Sequence, residues 1–165
     1  MSRALHLDSC GRARIVDVGR KKISTRTAKA EGEIRVSRAA LSALREGRLA
    51  KGDALAVARI AGIQAAKRTS EIVPLCHPLS LDAIAVDVVI DEPGRRVLAT
   101  ASASIRAKTG VEMEALVAVS AACLAIYDMV KGIDRSAVIG EIRLLEKTGG
   151  RPGRFRAPAR RQARP

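Results

Sequence analysis

Between Ala115 and Tyr127 the chain offers one clearly polar side chain, Ser120. A helix apolar around nearly its whole circumference has to be buried on more than one face. Thr109-Gly110-Val111-Glu112 just before it reads as a capping box, a threonine cap with a glutamate three residues on, opening a helix that runs to about Lys131. One sheet covers one face of such a helix, so the remainder is expected to pack against another subunit. No apolar run reaches the roughly eighteen residues that span a bilayer, and the N-terminus shows no apolar signal region.

The segments around this helix supply the sheet. From Thr27 to Val36, Ala28, Ala30, Gly32, Ile34 and Val36 alternate with Lys29, Glu31, Glu33 and Arg35, the pattern of a half-buried strand. Ser37 caps a short helix stopped by Gly47, and Asp53 caps a second one to about Ser70. Asp82–Asp91 and Arg95–Arg106 read as strands around the turn Glu92-Pro93-Gly94, and Val138–Lys147 as a last strand. Ile15-Val16-Asp17-Val18 resembles a further short strand. Strand, helix, strand, strand, helix, strand, with one small inserted helix, predicts an α+β, ferredoxin-like βαββαβ sandwich on an antiparallel sheet. Residues 1–150 form one domain in this reading. Residues 151–165 form an Arg/Pro-rich tail that is expected to be disordered.

Charge narrows the function less than its size suggests. Of the formal +13, six positive charges belong to the arginines between Arg151 and Pro165, leaving +7 on residues 1–150. A basic body suits a polyanionic ligand. Aromatic residues make up 1% of the chain, so no platform exists for stacking bases, and nucleic acid is an improbable partner. Three scattered cysteines (Cys10, Cys76, Cys123), with no C-x-x-C among them, form no disulfide framework or zinc knuckle and suit a reducing cytoplasm.

Few residues stand out for chemistry. Pro74-Leu75-Cys76-His77-Pro78 is a proline-braced loop, which holds a polar side chain in place at small entropic cost. No metal-ligand cluster is legible. Asp128 and Lys131 share a face at the end of the apolar helix, where a coupled carboxylate and amine can exchange protons. Lys51, ahead of the Asp53 cap, sits near the positive end of a helix. Arg26, Lys67 and Arg68 extend the basic set, and Lys108-Thr109-Gly110 could hold phosphate at a helix start.

Taken together, these segments resemble the MoaC family of molybdenum-cofactor biosynthesis. Ile15–Val18, Ala58–Thr69, Pro74–Leu79, Thr109–Leu116 and Ile126–Met129 with Lys131 carry the likeness, along with Val138-Ile139 and Arg143–Leu145. It extends from about Leu5 to Gly153. The resemblance implies a ferredoxin-like hexamer built as a trimer of dimers, with the active site at the dimer interface and no organic cofactor. It implies conversion of a cyclised GTP derivative (3′,8-cyclo-7,8-dihydro-GTP) to cyclic pyranopterin monophosphate with release of diphosphate, a lyase reaction. On matching positions Asp128 is the acid/base, Lys51 and Lys131 are the amines that move protons and contact phosphate, and His77 acts with them. Leu75, Cys76, Met113 and Glu114 line the substrate site, joined by Glu112, Thr109, Lys67 and Arg26. The chain departs from the family at Val130, where a cysteine is common, and at Leu5.

Overall fold

The computed structural model describes residues 6–8, 10–150 and 153–158. The alternating segment forms β1 (Ser24–Arg35), with Ala28, Ala30, Gly32 and Ile34 buried on one face. β1 pairs antiparallel with β3 (Arg96–Ala107) on one side and with β4 (Val138–Thr148) on the other, while β2 (Ala83–Asp91) pairs antiparallel with β3. A short strand β5 (Phe155–Arg156) follows, and the sheet order is β2-β3-β1-β4-β5, the expected ferredoxin-like arrangement with one added edge strand.

The helices α1 (Arg38–Arg45), α2 (Ala54–Lys67) and α4 (Glu112–Val130) and the short turn α3 (Thr69–Ile72) complete the order. Ser37 and Asp53 cap α1 and α2 as their side chains predict, accepting from Ala40 N and from Leu55 N and Ala56 N. α4 lies on the sheet against β1, β3 and β4, and α2 packs along α4. By length and composition α4 could cross a membrane, but half of it is buried as the core helix of this fold.

The helical layer is built within the chain, and three expectations are corrected. α2 covers a second apolar face of α4, through Ala54, Ala58, Gly62 and Ala66 at four-residue spacing, while Leu124 on α4 stays exposed. The helices meet so closely that a Cβ on Gly62 would stand 2.8 Å from the Ala118 carbonyl oxygen. The capping box does not form: α4 begins at Glu112, Val111 occupies the cap position, and no side chain caps the helix. Glu112 instead pairs with Lys147 on β4 at 2.6 Å.

Ile15–Val18 is not a strand: it joins no edge of the sheet, and its Val16 carbonyl bonds the His77 ring instead. The tail is ordered in part: β5 lies opposite Glu146 and Lys147, and Ala157 N donates to Leu145 O at 2.7 Å. The exposed edge of β4 offers unpaired backbone groups that this segment satisfies. The expectation of disorder for the rest of the tail lies outside the described residues.

Candidate active site

Two clusters of candidate residues form, at opposite ends of α4. At its C-terminal end Asp128 accepts a bond from Lys51 Nζ at 2.5 Å on one carboxylate oxygen and from Lys131 Nζ at 2.7 Å on the other. Asp128 and Lys131 meet because they are three residues apart across the end of the helix. Lys51 arrives from the connection between α1 and α2, where Gly52 takes φ +87° to turn the chain into the Asp53 cap. Its ammonium also reaches the Asp128 carbonyl at 3.2 Å.

Bonds from Lys131 and then Lys51 hold the Asp128 carboxyl down to about 2. The same bond to Asp128 pushes the Lys131 ammonium up. The group is therefore a carboxylate between two ammonium ions, with one positive charge in excess. The carboxylate keeps two cations close together despite their mutual repulsion, and all three side chains remain about half exposed. That arrangement can grip a phosphate and pass protons between neighbouring nitrogen and oxygen atoms.

At the N-terminal end Glu114 is buried, and burial followed by the charge of Glu112 pushes its carboxyl above the usual range. The Cys76 thiol lies close enough to feel Glu114, and burial and then that charge push it up. His77, from the same proline-braced loop, donates from Nε2 to the Val16 carbonyl at 2.9 Å. Leu75 and Met113 stand partly exposed nearby in sequence, at 37% and 36%.

Arg26, on β1, reaches the Lys108 carbonyl with Nη2 at 3.5 Å, and its buried Nε finds no partner among the described residues. Gly149 and Gly150, at φ +87° and +82°, fold directly against this guanidinium, where a Cβ on either would collide with the arginine side chain. Lys67 is exposed in the last turn of α2, and Thr109 is half-buried ahead of α4.

The structure thus bonds Lys51 and Lys131 to Asp128 and brings Cys76 within reach of the charge of Glu114, but it does not join the two groups to each other. Glu114 and Asp128 lie fourteen positions apart on one helix, about 21 Å along its axis at about 1.5 Å per residue. Neither of two cavities among the described residues holds a candidate residue. The larger, about 430 Å³, lies between α1 and the β2–β3 turn, and the other, about 330 Å³, lies over β1, β2 and β3.

Sequence reasoning missed the pairing of Lys147 with Glu112, the Val16 carbonyl and the grip of Gly149-Gly150 on Arg26. Only the paired glycines at the end of a strand are a visible signal.

Comparison with known proteins places these positions in a family. The MoaC family model matches residues 15–150. A cyclic pyranopterin monophosphate synthase of Roseiflexus sp. is 54% identical over 94% of this chain and 98% of its own length. Proteins of the same name from Novosphingobium aromaticivorans and Parvibaculum lavamentivorans are 52% and 49% identical, over 95% and 92% of this chain and 99% and 95% of theirs. A family match across the whole folded body, with relatives about half identical from end to end, means that this chain belongs to the MoaC family.

Proposed function

We propose that this protein is a cyclic pyranopterin monophosphate synthase. It rearranges 3′,8-cyclo-7,8-dihydro-GTP to cyclic pyranopterin monophosphate and releases diphosphate, within molybdenum cofactor biosynthesis. The observation that carries the proposal is the ionised Asp128 held between the ammonium groups of Lys51 and Lys131. Opening and reclosing purine-derived rings calls for repeated proton transfer, which this triad and His77 supply. Closing the cyclic phosphate requires a deprotonated sugar hydroxyl and a stabilised diphosphate leaving group, and cations serve the second need. Arg26 and Lys67 add positive charge for the triphosphate, while Leu75, Cys76, Met113, Glu114, Glu112 and Thr109 surround the base and sugar. Mass spectrometry of the product after incubation with the cyclised GTP derivative tests the activity. Recovery of unchanged substrate would refute it.

The active site is shared between two subunits of a homohexamer, a trimer of dimers in the reducing cytoplasm. One chain leaves Glu114 and Asp128 about 21 Å apart, too far for one compact substrate also held by His77. An antiparallel partner helix brings its Asp128 end beside this chain's Glu114 end. The exposed apolar side chains Val57, Ile60 and Leu124 on α2 and α4 provide surface for such contacts.

Inactive Glu114→Gln and inactive Asp128→Asn chains are mixed after dissociation and reassociated. A hybrid dimer holds one doubly damaged site and one intact site, so random mixing restores about a quarter of wild-type activity. A dead mixture in which hybrids are shown to form means that each site is built within one chain.

A further inference from the structure

The segment ahead of β1 is tied to the body by two bonds that the reaction scheme does not use. His77 Nε2 bonds the Val16 carbonyl at 2.9 Å, and Lys108 Nζ donates to the Gly19 carbonyl at 2.7 Å. Both carbonyls are free to accept because this segment joins no strand of the sheet. Within the segment, Asp17 accepts from Gly19 N at 2.7 Å and Lys21 N donates to Val18 O at 3.0 Å, so the Gly19 carbonyl is presented from a defined turn just after Val16. The segment spans from the proline-braced loop to the residue before Thr109, two parts of the chain that both carry candidate substrate-binding residues.

We propose that Val16–Gly19 is a positioning brace of the active site, and that its hold on His77 leaves Nδ1 as the ring atom that meets substrate. The inference rests on the synthase reading for its reaction. A carbonyl oxygen can only accept, so Nε2 must carry the hydrogen. In the neutral ring Nδ1 then bears the lone pair, and it has no hydrogen-bond partner among the described residues. His77 therefore accepts a proton or hydrogen bond from substrate at Nδ1 while its far edge is fixed.

The side-chain amides of glutamine and asparagine separate the two ring nitrogens. Glutamine reaches about as far as Nε2 and keeps a donor for Val16 but has no acceptor at the Nδ1 position. Asparagine places its oxygen near Nδ1 and falls short of Val16. His77→Gln is expected to melt like the wild type and to lose about 10²-fold in turnover, the scale of a lost general base. His77→Asn is expected to melt lower by about 2–4 °C, the effect of one lost hydrogen bond, and to retain more turnover than His77→Gln.

A long-range ¹H–¹⁵N spectrum of the ¹⁵N-histidine-labelled protein reports the tautomer directly. The chain has only two histidines, and the signal missing from His77→Gln identifies His77. An Nε2–H ring with the expected order of turnovers supports the proposal. An Nδ1–H ring, or higher turnover for His77→Gln than for His77→Asn, overturns it. Near-wild-type turnover in both variants also overturns it but leaves the synthase reading standing. An unreacted substrate with the wild-type protein removes both the synthase reading and the role at Nδ1, while the spectrum still decides the bond to Val16.

Discussion

Asp128 shows how far a charged side chain can be read from its neighbours. Its folded carboxyl titrates at about 2, below the ordinary carboxylate value, so its ion pairs favour the fold above that ordinary value and fade as pH falls toward 2. The side chain is half exposed, and such pairs contribute little to stability. Asp128→Asn is therefore expected to assemble and melt near the wild type while turnover falls by about 10²-fold or more. Near-normal turnover in a folded variant would move the acid/base role to Lys51 or Glu112. The same low value predicts that no acid limb between about pH 4 and pH 8 in the turnover profile belongs to Asp128. Should such a limb appear, its loss in Asp128→Asn would contradict this assignment. The Asp128–Lys131 pair is legible from spacing alone. Lys51 stands out in the sequence only as a cation near a helix start, because a carboxylate 77 residues away leaves no local mark.

At the scale of elements, the contact between α2 and α4 organises the helical layer. Small residues every four positions along α2 let the two backbones approach, with Gly62 against the Ala118 carbonyl and Val86. Gly62→Ala inserts a methyl group where a carbonyl oxygen stands 2.8 Å away, so α2 must move off α4. A thermal melt should show a loss of about 1–3 kcal/mol despite the better helix propensity of alanine, and an unchanged melt would mean that the helices yield freely. The stripe of small residues is visible in the sequence but its partner is not, because nothing local to α2 says which face of α4 it meets. The failed capping box has the same origin. Glu112 has the right spacing from Thr109, yet Lys147, brought over by β4, holds its carboxylate.

For the whole molecule, the consequential feature is a sheet edge closed by the chain's own tail. Phe155–Arg156 pair with β4, Arg154 lies 3.6 Å from Glu146, and Arg143 reaches the Pro158 carbonyl. A chain ending at Gly150 should keep the order β2-β3-β1-β4 and its turnover and melt a few degrees lower, because the edge of β4 loses its partner strand. Circular dichroism, a thermal melt and product analysis check these outcomes. A loss of turnover in the folded, truncated chain would make the tail part of the active site.

Local chemistry in the sequence determines the elements and their order. Alternation in β1, the Ser37 and Asp53 caps, the strand pair around Glu92-Pro93-Gly94 and the over-apolar α4 each follow from residues within a few positions of one another. Their order then leaves one economical sandwich. Tertiary structure decides what depends on distant partners: Lys51 beside Asp128, Lys147 on Glu112, the Val16 carbonyl on His77, Gly149-Gly150 around Arg26, and α2 on the second face of α4. A side chain's backbone preference is written within a turn of itself, whereas its charge partner and burial depend on which segments the sheet brings together.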